Sequence, residues 1–325
     1  MSFWDWFQEN EAVLSGIAAT LVISGALATL GRDFLKRIFR SAESSKHLSL
    51  TELSSPSPFP IEFAKCDGVN IAYNVQGQKQ PTLLVSPGII SNLHVSSNLP
   101  PIKNTMAALA KFSKIINFDK RGQGLSDPVS KVATMSERVQ DIESVADATA
   151  SDEFYLMGIS EGGPMSVQFA VENPSRVKGL ILFGTTPRFT RSDDYPIGLS
   201  ERALDSVGQN WGEAVARDIL FPSISRTVMD DDTYRGFEKL LADRRSIIQI
   251  VEYMKTLDVR ELLSAIECPT LVIHFSGDLA VPLRMGRYLA DHIPNAEFLE
   301  IAGVDHCDLG NAPEAIDRIR SFVSS

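Results

Sequence analysis

The sequence predicts an α/β protein: a mostly parallel, doubly wound sheet with an inserted helical cap, preceded by one transmembrane helix. Three observations carry this expectation. Short apolar runs without polar interleaving recur along the chain and are separated by helix-like stretches, the pattern of strands buried on both faces. That rhythm breaks over residues 186–265, where Asp- and Arg-rich helical stretches replace it. Near the start, Ala12 to Gly31 run twenty residues without a charge.

As a helix the Ala12–Gly31 run would be about 30 Å long, the thickness of a bilayer core. A secretory signal is the rival reading, since Ala26-Leu27-Ala28 resembles a cleavage site, but such a signal begins with basic residues and this one carries Asp5, Glu9 and Glu11. Residues 1–40 therefore read as an anchor. Arg32, Lys36, Arg37 and Arg40 all follow the span, so the positive-inside rule puts everything after it in the cytoplasm, as a single-pass protein of the inner (cytoplasmic) membrane. Trp4, Trp6 and Phe7 on one flank and Phe34 and Phe39 on the other suit the two interfaces. Gly16, Thr20, Ser24 and Ala28 form a small-residue stripe through which two such helices could associate. Residues 41–60, polar and ending in Pro56, Pro58 and Pro60, read as a flexible linker.

Residues 61–325 are long enough for one large α/β domain. Ile61–Cys66 and Val69–Val75 flank the turn pair Asp67-Gly68 and predict an opening hairpin. Buried strands follow at Thr82–Val85, Ile115–Phe118, Phe154–Met157, Leu180–Phe183, Leu271–Phe275 and Phe298–Ile301. Thr134-Met135-Ser136-Glu137 is a capping box and opens a helix, because the Thr hydroxyl and Glu carboxylate each satisfy an orphan amide. Met165–Glu172, Leu283–His292 and Ala312–Val323 supply others, and the cap is expected to contain helices at Ser200–Ser206, Trp211–Ile219 and Asp232–Met254.

Composition narrows the function. Forty-one acidic against thirty-one basic residues give a net charge of −10, which opposes a broad grip on nucleic acid. Cys66, Cys268 and Cys307 are odd in number and lack metal-like spacing, so neither a disulfide framework nor a zinc site is indicated, and no cluster suggests a metal or an organic cofactor.

Gly158-Ile159-Ser160-Glu161-Gly162 follows an apolar strand and precedes a helix-like stretch, the setting of a nucleophile elbow. A side chain on so sharp a turn needs small neighbours, and the following helix aims its positive end at the serine. Ser160 is a poor nucleophile until a base takes its proton, so a histidine and an orienting carboxylate are required downstream. Asp278 follows the strand Leu271–Phe275 and His306 follows the last strand, which places all three residues at the carboxyl edge of the sheet. His47, His94, His274 and His292 read as structural or surface residues, with Asp305 and Asp308 as fallback acids. The backbone N–H of Glu161, with that of Ile89 in the Pro87-Gly88-Ile89 loop, would stabilise an oxyanion.

With these residues assigned, the chain resembles the α/β-hydrolase superfamily over residues 61–325. Phe118-Asp119-Lys120-Arg121-Gly122-Gln123-Gly124-Leu125-Ser126-Asp127 and Gly158-Ile159-Ser160-Glu161-Gly162-Gly163-Pro164 are similar to the hydrolase domains associated with bacterial adenylate/guanylate cyclases. The resemblance implies Ser160 as nucleophile, Asp278 as acid and His306 as base, and treats the Phe118–Asp127 loop as structural, its charges joined in local salt links. Two departures stand out: Pro87-Gly88 replaces the frequent His-Gly, and no cyclase-type domain follows the last helix. Serine at the elbow also separates the chain from haloalkane dehalogenases and epoxide hydrolases, which place Asp there.

The expected activity is a membrane-anchored serine hydrolase cleaving carboxyl esters of small-molecule substrates through an acyl-enzyme. Two other readings remain open: a ligand sensor with little turnover that signals to a partner, and thioester, C–C bond or cofactor-free peroxide chemistry on the same triad.

Overall fold

A computed structural model describes residues 47–324. The expected span 12–31, its aromatic and basic flanks, and the stripe Gly16, Thr20, Ser24 and Ala28 lie outside the described residues. Among the described residues no helix is long and apolar enough to cross a membrane.

Eight strands of the described chain form one sheet: β1 (Glu62–Cys66), β2 (Val69–Gln76), β3 (Thr82–Ser86), β4 (Lys114–Phe118), β5 (Phe154–Ile159), β6 (Val177–Phe183), β7 (Thr270–Phe275) and β8 (Glu297–Ile301). Their order is β1-β2-β4-β3-β5-β6-β7-β8. The β1–β2 hairpin and the β2–β4 pair are antiparallel, and the remaining pairs are parallel. From β3 the chain steps to β4 on one side and then to β5 on the other, so the order of strand addition reverses between the parallel neighbours β3 and β5. The carboxyl ends of those two strands open a crevice at this switch point, the usual ligand site of an open α/β sheet.

The helices are α1 (Leu50–Leu53), α2 (Pro100–Leu109), α3 (Met135–Ala148), α4 (Gly162–Glu172), α5 (Glu201–Gln209), α6 (Arg217–Leu220), α7 (Asp231–Leu241), α8 (Arg244–Thr256), α9 (Leu283–His292) and α10 (Pro313–Val323). Strand residues alternate between two cores, as period-two geometry requires. Leu84, Leu156, Leu180, Leu182 and Val272 pack with Val139 and Ile142 of α3 and Leu289 of α9. Leu83, Met157, Ile181 and Ile273 pack on the other face with Leu109 of α2 and Ile319 of α10. Both faces being covered is why these strands carry no polar interleaving. Helix α3 begins at the predicted capping box, with Thr134 and Glu137 exchanging side-chain and backbone bonds.

Helices α5 to α8 fall within residues 186–265 and are called the cap below. Two expected helices differ in detail. Residues 211–216 are turns and only Arg217–Leu220 is helical. Glu238 holds those turns from within, its carboxylate accepting the N–H groups of Gly212 at 3.0 Å and Ala214 at 2.9 Å. The single helix expected over Asp232–Met254 is two, because Ala242 is extended and Asp243 caps a new start by accepting the Ser246 N–H at 3.0 Å. Helix α2, not anticipated, starts on Pro100-Pro101, whose fixed φ and missing N–H suit a first turn.

The linker expectation also needs amendment. Leu48 onward belongs to the same compact unit as the sheet. The Leu48 N–H donates to the Val228 carbonyl at 2.7 Å, and Leu53 is fully buried with Leu99, Tyr234 and Phe237. An apolar side chain in each of these positions gives the segment a reason to pack that its Ser/Pro composition conceals.

Candidate active site

Ser160 lies between β5 and α4 with φ +53, the left-handed region that a serine seldom occupies. The turn is held from several sides. The Ser160 N–H donates to the Phe183 carbonyl at 3.0 Å, and the Ser160 carbonyl accepts the Gly163 N–H at 3.0 Å and the Thr185 hydroxyl. The need for small neighbours is real: a Cβ at Gly158 would lie 2.7 Å from Ser166 Oγ and 2.8 Å from Gly163 Cα.

Asp278 and His306 leave the ends of β7 and β8 and meet: His306 Nδ1 is 2.7 Å from Asp278 Oδ2. The other carboxylate oxygen of Asp278 accepts the N–H groups of Ala280 at 2.9 Å and Val281 at 3.0 Å, which fixes the acid in place. His306 donates its backbone N–H to the Leu220 carbonyl of the cap at 2.8 Å, while its ring Nε2 is buried and unpartnered. Burial works most strongly against the imidazolium, yet the Asp278 carboxylate and Cys307 together outweigh it and raise the His306 pKa well above the ordinary value.

Ser160 and His306 line one cavity of about 430 Å3 at the switch point. Its other walls are mainly apolar: Ile89 and Leu93 from the loop after β3, Trp211, Leu220 and Phe221 from the cap, and Tyr234 and Phe237 from α7. The Pro87-Gly88-Ile89 loop lies beside the elbow, so close that a Cβ at Gly88 would stand 3.1 Å from Ser160 Cβ. Neither the Ile89 nor the Glu161 N–H has a backbone partner among the described turns and loops.

Asp305 faces the cap, its carboxylate bound by the Ser223 N–H at 2.9 Å and by the Ser223 hydroxyl, and Asp308 takes the Asn311 side-chain amide at 2.6 Å. Neither reaches the base, so neither fallback acid is used. His274, assigned a structural role from sequence, has it, but beside the acid: its Nε2–H donates to the Val281 carbonyl at 2.6 Å and lies 3.6 Å from Asp278 Oδ2. Burial lowers its pKa, and the bond to the Val281 carbonyl requires that Nε2 carry a proton. Among the described residues no group of three or more His, Cys, Asp or Glu side chains could hold a metal ion.

The charges of the Phe118–Asp127 loop do not pair locally. Lys120 forms a buried ion pair with Glu161 of the elbow, and Arg121 donates to Asp141 of α3 at 2.8 Å. Glu161 takes a second cation, Arg138 of α3, at 3.0 Å. Asp119 accepts the N–H groups of Leu93 at 3.1 Å and Leu125 at 2.9 Å, with burial raising its pKa to about 6. Sequence reasoning missed these links. The one available signal was a glutamate directly after the candidate nucleophile, in a motif whose other positions are small or apolar.

The family model described as serine aminopeptidase, S33, matches residues 102–310. The karrikin insensitive 2 receptor IA of Petunia hybrida is 23% identical over 258 residues, covering 75% of this chain and 90% of the receptor. The pimeloyl-[acyl-carrier protein] methyl ester esterase of Chromobacterium violaceum is 25% identical over 175 residues, covering 51% of this chain and 69% of the esterase. Among solved structures, a bromoperoxidase from Bacillus anthracis superposes with a TM-score of 0.70 at 20% identity, covering 82% of this chain and all of the other. The cyclase-associated likeness rests on its two motifs alone. Fold, strand-end geometry and family match agree: this chain belongs to the serine aminopeptidase S33 family of the α/β-hydrolase superfamily.

Proposed function

We propose that the protein is a serine hydrolase that cleaves carboxyl esters with an apolar acyl or alcohol group, using Ser160, His306 and Asp278. The observation that carries this is the 2.7 Å Asp278–His306 bond, which leaves a buried, unpartnered Nε2 in the same cavity as a serine on a strained turn. In the proposed reaction Nε2 takes the Ser160 hydroxyl proton as Oγ attacks the ester carbonyl. The N–H groups of Glu161 and Ile89 receive the oxyanion. The tetrahedral adduct collapses, the imidazolium returns the proton to the leaving alkoxide, and the alcohol departs. Water then attacks the acyl-enzyme by the same base, releasing the acid and Ser160. The apolar walls and a volume within the usual range of small-molecule sites favour a substrate with a hydrocarbon body and few polar groups. The esterase name of the Chromobacterium relative supports the same chemistry.

The anchor enters the proposal too: a single pass at residues 12–31 holding the enzyme at the cytoplasmic face of the inner membrane, with self-association through Gly16, Thr20, Ser24 and Ala28. Reaction of the full chain in detergent with a fluorophosphonate, read by mass, tests the nucleophile without assuming a substrate. The parent should gain one adduct, with Ser160→Ala gaining none and His306→Ala labelling far more slowly. A folded parent that stays unlabelled would leave the second reading, a ligand sensor, in first place. That reading draws its support from the receptor name of the Petunia relative.

A further inference from the structure

We propose that Lys120 is a positioning residue for the oxyanion site, tying the Gly88 carbonyl to the Glu161 carboxylate and thereby aiming the Ile89 and Glu161 N–H groups together. The inference rests on the reading of Ser160 as nucleophile and deepens it.

Lys120 leaves the end of β4 fully buried, and its Nζ donates to the Gly88 carbonyl at 2.5 Å as well as pairing with Glu161. The Gly88 carbonyl and the Ile89 N–H belong to one peptide unit. In a planar trans peptide these two groups point in opposite directions, so fixing the carbonyl on an ammonium fixes where the N–H points. A cation on the carbonyl also polarises the peptide and makes that N–H a stronger donor. Glu161 contributes the other N–H from its own backbone, and its side chain is held by the same ammonium. One cation therefore grips both halves of the site, which follow strands β3 and β5 and are also joined through the sheet and by the Ser86 hydroxyl, which donates to the Gly162 carbonyl at 3.1 Å.

Two further groups complete the arrangement. Arg138 donates to the second Glu161 oxygen at 3.0 Å and to the Ala133 carbonyl at 3.2 Å. Its guanidinium lies 4.3 Å from the centre of the Tyr253 ring on cap helix α8. The chain of contacts thus runs from cap to elbow to oxyanion loop. As a stabiliser of the core, three buried charges are a poor choice, since desolvation offsets most of their attraction and apolar residues of like volume do as well or better. As a device for setting direction, they suit a site where donors must stand at fixed angles to a developing charge.

The charged groups that face Lys120 are Glu161 and Asp119, which favour its proton, Asp141 of α3, which does the same, and Arg138, which opposes it. Burial outweighs the carboxylates and pushes the ammonium down to about 8. Its charge is what pairs Glu161 and polarises the Gly88 peptide, so turnover should fall as pH rises through about 8.

The test uses the full chain, an ester substrate and two inhibitors: a trifluoromethyl ketone, whose serine adduct carries an oxyanion, and an ether of the same shape, which forms none. Lys120→Met leaves the Glu161 carboxylate paired with Arg138 at 3.0 Å and is the informative variant, and Lys120→Met with Glu161→Gln and Arg138→Met, which removes all three charges, serves if that one unfolds. The folded variant's kcat should fall by about ten- to a hundredfold, less than loss of a whole oxyanion donor. KM and ether binding should hold, ketone binding should weaken in parallel with kcat, and the alkaline limb should vanish. Equal weakening of ketone and ether, or wild-type kcat in the folded variant, would overturn the inference while leaving the triad intact. Turnover surviving in Ser160→Ala would overturn the nucleophile assignment and this inference with it.

Discussion

His306 Nδ1 and Asp278 Oδ2 stand 2.7 Å apart with the Asp278 carboxylate sealed from solvent, so this pair governs how tightly Nε2 holds a proton and hence how the site responds to pH. His306 acts as a base only when neutral, and its pKa is raised. Activity should therefore fall on acidification from a point above the ordinary imidazole range, and kcat/KM of an ester measured against pH will locate it. Asp278→Asn should lower kcat by about 10⁴-fold, because the amide can hold the ring in the wrong tautomer, and loss of the carboxylate charge should shift the acid limb downward. The same pair bears on stability. A raised folded-state pKa means its contribution is fully present below the unfolded value, about 6.5, and is lost as pH rises through the folded one.

Strain at the elbow predicts an opposition between stability and activity. Ser160→Gly and Ser160→Ala should both be inactive, yet the glycine variant should be more stable than the alanine variant by about 1 kcal/mol, since only alanine keeps a Cβ at φ +53. Thermal unfolding of the two variants side by side gives the comparison. Equal midpoints would mean that the turn holds no strain.

Much of this was legible in the sequence, for reasons that differ by element. The parallel strands announce themselves because burial on both faces leaves no room for polar residues: Leu180 to Phe183 pack alternately into two cores and all four are apolar. Ser160, Asp278 and His306 are readable because each needs a strand end, and strand ends are visible. Lys120, Glu161 and Arg138 are not, since pairing across 41 and 23 residues leaves no periodic trace and a charge is expected at the surface. The break at Ala242–Asp243 is hidden for a related reason. Both neighbouring helices are amphipathic, and a capping Asp in an Asp-rich stretch carries little information.

Acyl-chain preference should respond to the cap. Phe237→Ala opens the apolar wall and should move the optimum of a graded ester series to longer chains, whereas Phe221→Trp should move it to shorter ones. Each methylene gained or lost is worth about 1–3 kcal/mol in such a pocket, so kcat/KM ratios between adjacent chain lengths should change by at least about tenfold. An unchanged preference in both variants would place the acyl chain elsewhere.

The amended linker makes a prediction about truncation. A Cβ at Gly236 would come within 2.7 Å of Leu50 Cδ2, so Leu50 is seated on α7, with Leu53 buried beside it. A chain beginning at residue 60 should unfold more readily than one beginning at residue 48 by about 2 kcal/mol, the burial of one large apolar side chain. Urea midpoints of the two give the difference.

Pro58 and Phe59 line the same cavity as Ser160 and His306. The stretch through which the folded body meets everything before it is therefore also a wall of the reaction chamber. Removing residues 58 and 59 should therefore open this chamber, so the shortened chain should differ from the longer one in the substrates it admits as well as in stability.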